Sequence, residues 1–314
     1  MSHDFKLIVA IGADPTIKLH RYCKRNWQNY FDYIDFDDYF FTSRSLTADS
    51  DFVSSNEIVF SLSEELRNAL SLSIGNDGVY HSDWTGEFGR SVILSHKKLW
   101  RLLLNRVSTD FVLYCPTATS VIDIEQIKSY LQLHYDKPGY FYGGAPVPIV
   151  HQPSAEKFWF ISGSGVFMSR ATLELLLARL NDGVPNMNDD LLFALFLGEL
   201  PRQIICRRSL AVRRSIYEEY DTITEYVKKL RKEGYFCFRI NSSRSKELIG
   251  GRDSNDSMLH SLVFNVVMRA RQQPVKYISD EFIHSCTQIG VKVDGPALQP
   301  GQLYRDHSTV VSGF

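Results

Sequence analysis

Residues 158–197, FWFISGSGVFMSRATLELLLARLNDGVPNMNDDLLFALFL, carry the reading on which the rest of the chain depends. The aromatic run from Phe158 to Ile161 predicts a strand. Ser162-Gly163-Ser164-Gly165 reads as a turn of small residues, and the spacing after it predicts a helix from about Ser169 to Leu180. Gly183 and Pro185 mark a loop. Asn188-Asp189-Asp190 then opens a second, almost wholly apolar helix, with asparagine as N-cap and two acids in the first turn. A glycine turn and a carboxylate pair are thus expected beside a buried core.

Working outward, Lys6 to Ile11 (KLIVAI) and Asp110 to Cys115 (DFVLYC) are short, continuous apolar runs, as in strands buried on both faces of a parallel sheet. Further strands are expected near Tyr39–Phe41, Ile58–Phe60, Tyr140–Gly144, Gln203–Cys206 and Tyr235–Ile240. Helices are expected over His20–Tyr30, from Ser61 to about Leu72 (Ser61 and Glu64 form a capping box), and over Arg90–Val107, Asp123–His134, Tyr217–Lys232 and 254–272. In the Arg90–Val107 helix, Val92, Ile93, Leu99, Leu102 and Leu103 face the core. A polar loop spans 75–89, a proline-containing loop 145–157, and the tail from 291 reads as irregular.

Strands and helices alternate to about residue 200, which implies an α/β fold with a mainly parallel, Rossmann-like sheet flanked by helices. Residues 1–215 read as a nucleotide-binding and catalytic domain. Residues 216–314 read as a C-terminal α/β appendage on the same sheet.

With 314 residues, 44% of them hydrophobic, the chain can bury a large core. Its net charge of −1 excludes a global basic field for nucleic acid or anionic membrane. Five scattered cysteines without CxxC spacing point away from a disulfide framework and from a zinc site, towards a reduced, cytoplasmic setting. The apolar run near the N-terminus is too short for a signal peptide, and no stretch approaches the roughly 18 apolar residues of a membrane span.

Gly12-Ala13-Asp14 follows the first strand, where nucleotide-binding α/β folds place their ligand, although a plain strand-to-helix turn reads the same way. His81-x-Asp83 lacks a third metal ligand at a recognisable spacing. Arg202, Arg207, Arg208, Arg213 and Arg214 form a local basic stretch.

Four segments, in order, resemble the fringe and β-1,3-galactosyltransferase group of GT-A-fold glycosyltransferases. The first strand, its turn and the helix with Lys24 and Trp27 resemble that family's opening strand and basic helix. Leu94-Ser95-His96-Lys97 resembles its Leu-Thr-x-Lys segment, FISGSGVFMSR its small-residue turn and helix start, and Asp189-Asp190-Leu191-Leu192-Phe193 its Glu-Asp-Val-x-Val segment. The match covers roughly residues 5–200. It implies transfer of a sugar from a UDP-sugar to a hydroxyl acceptor with inversion. Asp190, or Asp189, would be the base. Gly12, Ala13, Asp14, Lys24, Asp83, Lys97, Pro116, Thr117, Ala118 and Thr119 would meet the nucleotide. Trp84, Gly163, Ser164, Gly165 and Arg207 would meet sugar or acceptor.

The chain departs from the family at one place. Where the family has an Asp-x-Asp motif at the end of the central strand, it reads Cys115-Pro116-Thr117-Ala118-Thr119, so no metal ligand is assigned. Three arrangements follow. Lys97, Lys24 or Arg207 stabilises the diphosphate without manganese or magnesium; other carboxylates such as Asp83 and Asp14 hold the cation; or the chain is a non-catalytic relative that binds glycan or protein. Sugar transfer to a modified nucleic-acid base is a third functional class. The sequence leaves donor sugar, linkage and oligomeric state open.

Overall fold

The computed structural model describes residues 5–15, 17–45, 47–64, 67, 87–106, 108–118, 120–135, 139–150, 157–181, 183, 189–198, 200, 202–204, 206–212, 216–232, 235–240, 251–269 and 303–304. His81, Asp83, Trp84, Thr119 and Asn188 lie outside them, as does most of the helix expected after Ser61. By its internal contacts the chain forms two compact units, each assembled from three segments. Met1–Ile17, Asp38–Cys115 and Lys128–Ile204 make the first, and Lys18–Asp37, Pro116–Ile127 and Ile205–Phe314 the second.

The first unit is an eight-stranded sheet in the order β3-β4-β2-β1-β5-β8-β7-β9. The strands are β1 (Leu7–Gly12), β2 (Tyr39–Ser45), β3 (Phe52–Val53), β4 (Glu57–Ser61), β5 (Phe111–Pro116), β7 (Tyr142–Val150), β8 (Lys157–Ser169) and β9 (Arg202–Ile204). β4, β2 and β1 run parallel, and the amides of Asp110 and Phe111 donate to Lys6 O, which starts β5 alongside β1. β8 is antiparallel to both β5 and β7, and β9 is parallel to β7. The sheet is therefore mixed and mostly parallel, as its uninterrupted apolar strands require. Ile8, Val9, Ala10 and Ile11 are all 0% exposed, so β1 is buried on both faces. Helices α2 (Glu87–Arg106), α4 (Arg170–Asn181) and α5 (Asp189–Phe196) supply Ile93, Leu99, Trp100, Leu103, Leu173, Leu176, Leu192 and Phe193 to its core.

Two sequence expectations are corrected here. Ser162–Gly165 is not a turn between elements but lies within β8, at an irregularity where the β7–β8 register shifts between Ser162 and Phe167; β5 pairs with β8 only from Val166 to Ser169. In the expected loop at 145–157, residues 145–150 and Lys157 are strand, since β7 continues to Val150 and β8 begins at Lys157, while 151–156 lie outside the described residues. Pro146 and Pro148 are tolerated because β9 pairs only with Tyr142, Gly143 and Gly144. Beyond them, among the described residues, the outer side of β7 is an edge where a missing N–H costs no ladder bond.

The second unit has its own sheet, β12-β10-β11-β6, formed by β6 (Ser120–Ile122), β10 (Cys206–Val212), β11 (Cys237–Ile240) and β12 (Leu303–Tyr304). The C-terminal strands thus do not extend the first sheet, contrary to the appendage expected from the sequence. Helices α1 (Lys18–Ile34), α6 (Ile216–Lys232) and α7 (Gly251–Arg269) belong here, together with the head of α3 (Ile124–Tyr135). Trp27, Tyr30 and Phe31 recur at helical spacing on α1 and are buried, and Trp27 and Tyr30 pack against Phe264 of α7.

Hydrogen bonds join the three segments of this unit. Trp27 Nε1 donates to Thr117 O at 3.0 Å, and Ile124 N donates to Tyr30 Oη at 2.9 Å. Asn26 Nδ2 meets His260 Nδ1 at 3.2 Å, while His260 Nε2 lies 3.1 Å from Ser120 O. That network assigns a neutral ring with its proton on Nε2, and burial lowers the pKa of His260 to about 3. Asp123, fully buried, caps α3 through Gln126 N and takes Arg231 Nε at 2.6 Å.

Candidate active site

The conspicuous polar cluster of the first unit lies where α2, α5, β5 and β8 meet. Asp189 and Asp190 occupy the first turn of α5, where acids are favoured by the helix dipole. Each carboxylate has a different partner. Asp189 Oδ2 accepts from His96 Nε2 at 3.0 Å, and Asp190 Oδ2 accepts from the backbone N–H of Gly163 at 2.8 Å. Both aspartates remain partly exposed.

His96 is 4% exposed and is held by aromatic rings. It stacks on Trp100 at 5.5 Å and 10°, meets Tyr114 edge-on at 4.6 Å and 90°, and touches Phe193 at 5.6 Å. A ring fixed this way has one direction for its Nε2–H, and that direction is Asp189. The phenol of Tyr114 is pushed above its usual range, first by burial and then by Asp189, with Arg44 opposing the rise.

The glycines here are explained by their neighbours. A Cβ on Gly163 would fall 2.9 Å from Asp190 Oδ1, so glycine is what lets the carboxylate lie against the β8 backbone. A Cβ on Gly12 would fall 2.7 Å from Tyr114 Oη. The glycine that ends β1 therefore makes room for Tyr114, a local reason independent of any phosphate.

Other expected site residues are distributed as follows. Ala13 N donates to Thr42 O at 2.7 Å, and Asp14 O accepts from Ile17 N, so Gly12, Ala13 and Asp14 form the turn at the carboxyl end of β1. Lys97 Nζ donates to Leu180 O at 2.8 Å, and Arg101 bonds Asn181; both cations neutralise the last turn of α4. Burial, with Arg101 nearby, lowers the pKa of Lys97. Ser164 and Gly165 lie in β8, Gly165 buried. Lys24, on α1, and Arg207, in β10, belong to the second unit, as do Pro116, Thr117 and Ala118. Thr117 is 0% and Ala118 2% exposed, with the Thr117 carbonyl taken by Trp27.

The end of β5 offers Cys115, Pro116, Thr117 and Ala118, with no carboxylate, and Cys115 and Thr117 are fully buried. A hard divalent cation needs several oxygen ligands, so this donor set does not fit one. Among the described residues no group of three or more His, Cys, Asp or Glu side chains could hold a metal, and no helix is long and apolar enough to cross a membrane.

Sequence reasoning passed over His96, Trp100 and Tyr114. The signal was present: Val92, His96, Leu99, Trp100 and Leu103 recur at i, i+4, i+7, i+8 and i+11, which places His96 on the buried face of α2. A histidine on that face needs a polar partner.

No protein-family model and no curated protein matches the chain. Among solved structures it is similar to the inositol-1-phosphate CTP transferase from T. maritima, with 9% identity, 65% of this chain and 86% of that one covered, and a TM-score of 0.33. It is similar to a glycosyltransferase involved in glycosylation of the major capsid of PBCV-1, with 11% identity, 74% and 93% covered, and a TM-score of 0.31. It is also similar to the glycosyltransferase GlyE in Streptococcus pneumoniae TIGR4, with 10% identity, 87% and 66% covered, and a TM-score of 0.36. At these values the functional reading rests on the residues of the site.

Proposed function

We propose that the chain is a nucleotide-sugar-dependent glycosyltransferase, moving a sugar from a UDP-sugar to a hydroxyl-bearing acceptor with inversion, and that Asp190 is its base. The supporting observation is the seating of Asp190. Its Oδ2 is pinned by Gly163 N–H at 2.8 Å and its carboxylate lies against a residue with no side chain. The carboxylate is also partly exposed. Deprotonation of an acceptor hydroxyl asks for that arrangement: an ionised carboxylate, fixed in direction and open to solvent on one side.

Asp190 takes the proton from the acceptor hydroxyl as the oxygen attacks the anomeric carbon, and the nucleotide diphosphate leaves on the opposite face. The departing diphosphate needs positive charge to stabilise it, and the end of β5 offers no carboxylate to hold a divalent cation there.

The test is a screen of UDP-sugars for hydrolysis and transfer, with Asp190→Asn as the decisive variant. Its amide oxygen still accepts from Gly163 N–H, so the fold is retained while the base is lost. Turnover is expected to fall by about 10²–10⁴-fold. Undiminished turnover in Asp190→Asn would remove it as base. The carboxylate-free end of β5 favours a second reading, a glycan- or protein-binding relative without catalysis, and binding of UDP-sugars without turnover in any acceptor screen would select it.

A further inference from the structure

We infer that His96 is a positioning residue for the transfer step, holding Asp189 so that the head of α5 presents Asp190 in its place against Gly163. This rests on the function proposed above, for which His96 has no assigned part.

His96 touches α5 at two points one helical turn apart. Its Nε2 donates to Asp189 Oδ2 at 3.0 Å, and its ring packs on Phe193 at 5.6 Å. Residues i and i+4 lie one above the other on a helix face, so the two contacts fix both the rotation and the height of α5 at its first turn. Asp190 follows Asp189 directly in a helix of eight residues and is carried by whatever holds Asp189. The ring itself cannot drift, with Trp100 stacked on one face and Tyr114 set perpendicular to it. A ligating or catalytic carboxylate gains direction from such a partner, held in turn by packing.

The charges point the same way. Asp189 and Asp190 are consecutive acids at one helix end, and both act on Tyr114 of β5, as do Arg44 of β2 and Cys115. His96 supplies Asp189 with a donor. Without it, Asp189 would lose that donor beside the base. Packing alone does not require an imidazole here, since a leucine also fills an apolar slot between Trp100 and Phe193. Only a donor does both.

The experiment compares His96→Gln and His96→Leu in the full chain, with kcat and KM measured for the UDP-sugar found in the screen. Leucine is expected to lower kcat by about tenfold or more with donor KM within about twofold, because the base acts in the transition state and not in donor binding. Glutamine, whose amide N–H reaches in the same direction, is expected to restore much of that loss. Equal losses in both variants, or a change in KM alone, would overturn the inference. A second measurement separates it from the functional reading. In ¹⁵N spectra, the His96 Nε2–H signal is expected to move in Asp189→Ala and stay in place in Lys97→Met. No turnover with any nucleotide-sugar removes the transfer role together with that reading, while the shift in Asp189→Ala still establishes the hold. An unmoved signal overturns the hold whatever the activity.

Discussion

Gly163→Ala tests the seating of Asp190 through the sign of its effect. Gly163 lies inside β8 and is not among the glycines with positive φ, which are Gly139, Gly144 and Gly183. At an unstrained, uncrowded position, alanine stabilises by about 0.4–1 kcal/mol because it narrows the unfolded ensemble. Here the added methyl would sit 2.9 Å from Oδ1, 3.5 Å from Oδ2 and 3.6 Å from Cγ of Asp190. The carboxylate can retreat only by stretching its 2.8 Å bond from the Gly163 amide, the same residue that carries the methyl. Losing a hydrogen bond to a charged group costs about 1.5–3 kcal/mol. Keeping it and accepting the crowding costs about 1–3 kcal/mol. The protein takes the cheaper route, so the expected loss is about 1–3 kcal/mol. Urea denaturation reads it directly, in the wild-type background and again in Asp190→Ala, where the obstacle is gone and Gly163→Ala should be neutral or stabilising. Stabilisation by Gly163→Ala alone, or the same cost in both backgrounds, would refute the seating and the choice of base with it.

Two further outcomes follow from the same geometry. Gly12→Ala should cost about 1–3 kcal/mol by overpacking against Tyr114 Oη, and Tyr114→Phe in the same chain should relieve most of it, since the next atom, Cζ, lies at 3.5 Å; denaturation of the four members of the cycle measures this. His260 is neutral when folded, its pKa lowered from 6.5 to about 3 by burial. Between those values the unfolded chain binds a proton that the folded chain does not, so stability is present above pH 6.5 and falls as pH drops towards 3. The slope reaches about 1.4 kcal/mol per pH unit, and His260→Gln should flatten it in urea midpoints taken across that window.

The α/β class was legible because central strands leave an unmistakable trace. LIVAIG and FVLYCP are apolar without alternation, and the structure places β1 between β2 and β5. Helices were legible from periodicity, α4 to within a residue at each end and α5 at its start. The small-residue stretch at 162–165 misled because glycine and serine mark turns in general, and the reason for glycine at 163 is a side chain from 27 residues away. No local pattern encodes that contact. The second sheet was invisible for the same reason: β6 is three residues long, and its pairing with β11 joins positions more than a hundred residues apart.

Lys97 and His96 show where residue-type reasoning gives out. Both stand in Leu94-Ser95-His96-Lys97, and the lysine drew attention because a cation suits a diphosphate. A helix decides differently. One position apart means about 100° of rotation, so the two side chains leave the helix in different directions. With Val92, Leu99 and Leu103 buried, the inward residue is His96, and Lys97 is left to reach the Leu180 carbonyl at the end of α4. An inward histidine among aromatic rings is tolerable only with an acceptor in reach, and the acceptor it found is one of the two carboxylates at the head of α5. The pairing assigns the aspartates different tasks. Asp189 satisfies the buried imidazole, and Asp190 lies against the β8 backbone at Gly163.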